Sequence, residues 1–225
     1  MIISIDGVDG AGKSTVIKLL LERLTELNLV SVKTSNRSEM SSELKQFLNE
    51  NIEKALIARF IYFSYSNLLA SNEIKNKNYE NVIIDRFVYS TEAYHKAVDR
   101  YYYGGIYYEL LDHLSKEAEK ELITVDVAIF LYVNEKEQMK RLLRKDPQEN
   151  NKLDFKIEIQ KYVSEEFHKI AERLRHDGIF VYELDTSNMD ENTVAKKIEE
   201  IIKAKISEED YKREKTKVSI WDQIS

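Results

Sequence analysis

Six glycines serve the whole chain, and three of them, at 7, 10 and 12, fall within six consecutive positions. They belong to Gly7-Val8-Asp9-Gly10-Ala11-Gly12-Lys13-Ser14, which fits the pattern G-x-x-x-x-G-K-[ST] and is followed by Thr15. The apolar run Ile2, Ile3 and Ile5 stands directly before it. Val16, Ile17, Leu20, Leu24 and Leu27 follow at helical spacing. A strand, a glycine loop and a helix in that order make a phosphate cradle, because the loop amides point inward and the helix N-terminus adds positive potential. Lys13 is placed to reach the β- and γ-phosphates and the Ser14 hydroxyl to ligate Mg²⁺. The alternative, a plain glycine turn with an exposed lysine, does not need this flanking context. The loop is expected to bind a nucleoside triphosphate.

The rest of the chain repeats the alternation. Strand-like runs occur at 30–34, 82–84, 125–133 and 179–184, and helical spacing at 42–77, 87–98, 106–121, 135–145, 154–176 and 191–205. Continuously apolar strands alternating with helices argue for a parallel sheet covered on both faces. The expectation is an α/β, three-layer fold with a five-stranded parallel sheet. It forms one domain over 1–205 with a segment at about 135–161 outside the sheet, followed by a C-terminal extension over 206–225. Tyr101-Tyr102-Tyr103-Gly104-Gly105 is read as a loop.

Composition narrows the class. Of the 225 residues, 43% are hydrophobic and 33% charged, which permits a real core and excludes a disordered chain. With no cysteine there is no disulfide scaffold, zinc-thiolate site or thiol nucleophile. The net charge of 34 − 40 = −6 gives no sign of the basic surface a duplex-binding protein carries. No apolar run is long enough to span a bilayer, and the N-terminus lacks a signal-peptide pattern. A cytoplasmic protein without nucleic-acid or membrane partners is expected. Asn151-Lys152-Leu153-Asp154 spells the guanine-reading N-K-x-D of regulatory GTPases. It follows a polar stretch instead of a buried strand, and no D-x-x-G switch follows the second strand, so it is read as coincidence.

Ile5 to Thr15, with the acidic Asp9 inside the loop, resembles the first motif of thymidylate kinases. Asp85-Arg86-Phe87 followed by Ser90, Ala93 and Tyr94 is similar to that family's Asp-Arg-aromatic motif. Asn36-Arg37-Ser38 and Phe63-Ser64 fall where the family places a phosphate-binding arginine and a base-stacking aromatic. The resemblance runs over about 1–205. It implies a nucleoside monophosphate kinase that uses ATP and Mg²⁺ to convert dTMP to dTDP, working as a homodimer with a helical lid.

Residue by residue, it implies that Gly7, Asp9, Gly10, Ala11, Gly12, Lys13, Ser14 and Thr15 hold the ATP phosphates, with Ser14 and Asp85 toward the metal. Arg37 and Arg86 would hold the acceptor phosphate, and Asp9 would face the acceptor sugar. Phe63, Asn67 and Tyr94 would lie against the base. Because Gly10 follows Asp9, the lid must supply the catalytic arginine, and Arg141 and Arg144 are the candidates. Each has a plainer reading: an ion pair for Arg86, a helix cap for Asp85, a loop hydrogen bond for Asp9, core packing for Phe63 and Tyr94, and a solvated face for 135–161.

The sequence departs from the family at Asn67, where an arginine contacts thymine, at Ser35 to Ser38, which replaces Arg-Glu-Pro-Gly-Gly, and at Thr91. These departures leave phosphoryl transfer intact and open the base preference. The alternatives are a kinase for another nucleoside monophosphate or a deoxynucleoside, or a nucleotide-binding regulator without turnover.

Overall fold

A computed structural model describes residues 1–35, 37, 39–145 and 157–221. The N-K-x-D tetrapeptide, Asn36, Ser38 and the 146–156 part of the expected lid lie outside the described residues.

Five strands form one parallel sheet: β1 (Ile2–Gly7), β2 (Leu29–Lys33), β3 (Asn81–Asp85), β4 (Val127–Tyr132) and β5 (Phe180–Asp185), in the order β2-β3-β1-β4-β5. The helices are α1 (Lys13–Arg23), α2 (Ser42–Glu50), α3 (Leu56–Lys77), α4 (Val88–Tyr103), α5 (Tyr108–Glu121), α6 (Glu135–Lys145), α7 (Ile157–His176) and α8 (Glu191–Trp221). The strands that read as continuously apolar are the central ones. Ile3, Ile5, Val82 to Ile84 and Val127 to Leu131 are all fully buried. Covering both faces of these strands removes about 1.5–3 kcal/mol worth of apolar surface from water per side chain, which is why the alternating in-out pattern is absent.

The register decides where chemistry can occur. Ile5 lies opposite Asp85, and Gly7 opposite Leu131. The glycine loop therefore leaves the sheet at the same edge as Asp85-Arg86 and as the ends of β4 and β5. The crevice beyond the carboxyl ends of the strands, where the order reverses beside β1, is where open α/β sheets bind ligands.

Three sequence expectations are corrected. The stretch 42–77 is two helices, because the chain turns at 51–54; the Asn51 side chain and amide both bond the Phe47 carbonyl and end α2. Tyr101 to Tyr103 finish α4 instead of forming a loop, and the reversal comes one residue later at Gly104, whose φ of 65° suits a residue without Cβ. The last helix does not stop at 205 but continues to Trp221, so no element ends at the expected boundary of the C-terminal extension, and 222–225 lie outside the described residues. No helix among the described residues is long and apolar enough to cross a membrane.

Candidate functional site

The glycine loop is shaped by what its backbone must avoid. At Gly7 φ is 137°, and a Cβ there would land on the Leu131 carbonyl, so the loop can hug β4 only with glycine. The Val8 amide donates to that same carbonyl at 3.1 Å. Gly12, at φ 93°, turns the chain into α1. Lys13 is buried, and its Nζ donates to the carbonyls of Gly7 (2.9 Å) and Val8 (2.7 Å). Burial pulls its pKa down to about 7, against the opposing pull of Asp9, Asp85 and Asp6.

Across from the loop, Arg86 follows β3 with φ at 62°, a left-handed conformation that costs a non-glycine residue energy. The backbone is held there from both sides. Its amide donates to Ile5 at 3.1 Å, and its carbonyl accepts from the Thr34 hydroxyl. The guanidinium pairs with Asp9 and lies over the Tyr94 ring, 5.3 Å from its centroid. Behind it, the fully buried Asp6 caps α4. One oxygen accepts from the amides of Phe87 (2.9 Å) and Ser90 (3.2 Å) and from the Ser90 hydroxyl (2.5 Å). Burial nevertheless raises its pKa.

Helices α6 and α7 close the third side. Arg141 reaches over the loop to donate to the Gly10 carbonyl (3.3 Å) and to the Thr186 hydroxyl (3.0 Å) and carbonyl (2.8 Å), while Glu137 holds its Nε at 3.1 Å. Two buried glutamines fix Asp9 itself. Gln138 donates to its carbonyl at 2.6 Å, and Gln160 accepts from its amide at 3.2 Å. The result is a pocket of about 640 Å³ lined by Asp9 to Val16, Arg86, Arg141 and Arg144, with Thr186 and the start of α8. Lys13, Arg86, Arg141 and Arg144 thus converge from three separate segments of the chain on one cavity. No cluster of three His, Cys, Asp or Glu side chains among the described residues could hold a metal without help.

The other sequence-predicted residues lie elsewhere. Arg37 does not face this pocket; it lines a second one of about 550 Å³, where it pairs with Glu39 and Glu73, both at 2.8 Å. Asp85 is buried at the strand end, 3.7 Å from Lys33, and is not among the pocket lining. Phe63 and Asn67 sit between α3 and α4. Phe63 is half-buried against His95, with ring centroids 6.0 Å apart, and Asn67 is fully buried, its Nδ2 donating to the Thr91 hydroxyl at 3.0 Å.

Sequence reading missed Gln138, Gln160, Thr186 and Asp6. Thr186 was within reach, standing in the loop that follows the last strand. The glutamines carry no sequence signal, since nothing local marks them as partners of a loop about 130 and 150 residues away.

Residues 5–98 match the family model for thymidylate kinase. A probable thymidylate kinase of Methanococcus vannielii is 26% identical over 172 residues, covering 74% of this chain and 76% of that protein. Among solved structures, thymidylate kinase from Candida albicans superposes with a TM-score of 0.69 at 22% identity, covering 91% of each chain. Deoxyadenosine kinase from M. mycoides with bound dATP superposes with a TM-score of 0.67 at 21% identity, covering 90% of this chain and all of that one. At these identities the two solved structures speak for the fold.

Proposed function

We infer that this chain, whose residues 5–98 match the thymidylate kinase family model, is an ATP-dependent nucleoside monophosphate kinase acting on dTMP. The observation that carries this reading is the convergence of Lys13, Arg86, Arg141 and Arg144 on the pocket at the sheet edge. Such a reaction brings two polyanions together, and its transition state spreads charge over the equatorial oxygens of the moving phosphoryl group. Catalysis is therefore a matter of placing cations and excluding water.

The loop amides and Lys13 hold the β- and γ-phosphates of ATP. To reach them, Lys13 exchanges its bonds to the Gly7 and Val8 carbonyls for phosphate oxygens. Arg86 meets the acceptor phosphate with a two-pronged guanidinium fork. Its pairing with Asp9 and its place over Tyr94 aim it from the far side of the loop. Arg37, already shared between two carboxylates, is a weaker candidate for this duty. An oxygen of the acceptor phosphate attacks the γ-phosphorus, that P–O bond forms as the bond to the β-phosphate oxygen breaks, and ADP leaves. Arg141, spanning Gly10 and Thr186, and the exposed Arg144 on the same helix supply charge to the moving group. Gln138 and Gln160 keep Asp9 in register with α6 and α7, so the lid helices and the loop act as one body.

The donor set fits Mg²⁺, an ion that keeps much of its water and binds chiefly through substrate phosphates. The Ser14 hydroxyl in the pocket would hold it, with Asp85 behind. When bound, it neutralises phosphate charge. A homodimer in the cytoplasm completes the proposal, on the family resemblance alone.

Incubation with γ-labelled ATP, Mg²⁺ and dTMP tests the reading. Label recovered in dTDP supports it, and label recovered only as inorganic phosphate contradicts it.

A further inference from the structure

Five successive carbonyls of the glycine loop are each held by a side chain. Those of Gly7 and Val8 accept from Lys13 Nζ at 2.9 and 2.7 Å. The next three are taken by residues far away in the sequence. Asp9 accepts from Gln138 Nε2 at 2.6 Å, Gly10 from Arg141 Nη1 at 3.3 Å, and Ala11 from the Thr186 hydroxyl at 3.2 Å. Gln138 and Thr186 are both buried. The loop is thus gripped twice, at its start by its own lysine and further on from α6 and the turn after β5.

The two grips differ in what a phosphate does to them. Lys13 leaves its carbonyls to reach the phosphates, whereas Gln138 and Thr186 have no such duty and are tied into the scaffold. Gln138 Nε2 also lies 3.4 Å from Gln160 Oε1. Its helix packs so closely on the loop that a Cβ at Gly10 would stand 3.3 Å from Gln138 Cγ. The Thr186 amide donates at 2.8 Å to the Tyr132 carbonyl at the end of β4. The Thr186 hydroxyl lies 2.9 Å from that same carbonyl and has a single proton to give. Tyr132 is already served by the amide, while the Ala11 carbonyl accepts from nothing else among the described residues. The proton therefore belongs at Ala11, and the Thr186 oxygen accepts from Arg141 at 3.0 Å.

In a trans peptide the carbonyl of one residue and the amide of the next point in opposite directions. Fixing the carbonyls of Asp9, Gly10 and Ala11 therefore fixes the amides of Gly10, Ala11 and Gly12. The Ala11 amide closes a turn onto Val8 at 3.3 Å, and those of Gly10 and Gly12 donate to nothing among the described residues. Both glycines have positive φ, 80° and 93°, and successive amides in such a turn make an anion-binding nest. We propose that Gln138 and Thr186 are positioning residues for the triphosphate, which keep the Gly10 and Gly12 amides in aim after Lys13 has let go of the loop. They act through the loop carbonyls, without having to touch the nucleotide. This inference rests on the reading of the loop as the ATP site of the kinase proposed above.

Calorimetric binding of Mg·ATP and of inorganic tripolyphosphate, which carries no base, to Gln138→Met, Thr186→Val and Thr186→Ser tests it. Loss of one hydrogen bond to the loop raises Kd about 5- to 10-fold in Gln138→Met and in Thr186→Val, equally for both ligands. Thr186→Ser keeps the hydroxyl and binds both as the wild type does. KM for dTMP stays within about twofold in all three, which a general loosening of the site would not spare. Should Thr186→Val fail to fold, Gln138→Met decides. Variants that melt at a lower temperature yet bind both ligands as the wild type does overturn the inference, as does a loss in Thr186→Ser equal to that in Thr186→Val. A wild-type chain that binds Mg·ATP without dTMP-dependent turnover overturns the kinase reading alone, and the variants' Kd values still decide the inference. A wild-type chain that binds neither Mg·ATP nor tripolyphosphate overturns both.

Discussion

The glycine-loop pocket and the contact between α3 and α4 are built from different materials. The phosphate loop is a backbone device: glycines at special dihedrals, amides and carbonyls within a few residues of one another, and a lysine folded back on its own loop. The contact between α3 and α4 is a side-chain device, assembled from Arg59, Phe63, Asn67, Thr91 and His95 across a long stretch of sequence. A backbone device tolerates no change at a few positions and little variation in what it binds. A side-chain device can be rebuilt residue by residue while a backbone loop elsewhere stays put.

The sharpest way to break this division is at its backbone half. Lys13→Ala should reduce turnover by about 10³-fold or more with the fold retained, measured as ADP release; wild-type turnover would remove the loop from the mechanism. Arg141→Ala and Arg144→Ala should each lower kcat, the larger loss reaching about 10³-fold. Because Arg141 also ties Gly10 to Thr186, its variant should in addition lose melting temperature, which Arg144→Ala should not. If neither moves kcat, the lid helices do not serve the reaction.

Gly7→Ala should cost about 3 kcal/mol or more of stability, since the added methyl meets the Leu131 carbonyl at a positive φ. Chemical denaturation reads this, and a neutral result would show that the loop gives way more easily than its contacts suggest.

The smallest effect is a proton. Burial holds Lys13 near pKa 7 in the folded chain against an unfolded value of 10.5. Between those values the unfolded chain keeps a proton the folded chain has lost. Lys13 therefore makes stability rise with pH through that window, and its penalty is full below about 7. Phosphate restores the charge, so ATP binding near pH 8 should take up a fraction of a proton. Calorimetry in buffers of different ionisation enthalpy detects this, and Lys13→Met should abolish the uptake.

The same division explains what could be read in the sequence. The β1 strand, Gly7 to Ser14 and α1 are contiguous, so spacing alone placed them, and the apolar run 127–131 marked a central strand. Asp85-Arg86 was legible as a strand end, though not that Arg86 takes a left-handed conformation or pairs with Asp9. Residues 42–77 read as one helix because the turn at 51–54 uses Asn51 and no proline. That Arg37 pairs with Glu73 could not be read, since only the fold brings the two together. Gln138, Gln160, Arg59 and His95 stayed invisible because their partners are set by packing between distant elements.

The central claim is that the convergent cations serve transfer between two nucleotides. The direct measurement is ADP release from ATP and Mg²⁺ with dTMP, dUMP, UMP, dCMP, AMP, GMP and thymidine as acceptors, with Lys13→Ala as control. Turnover that depends on a nucleoside monophosphate, is greatest with dTMP and vanishes in Lys13→Ala is the predicted result. ATP binding with no acceptor raising ADP release would contradict it and leave a nucleotide-binding protein without phosphoryl transfer.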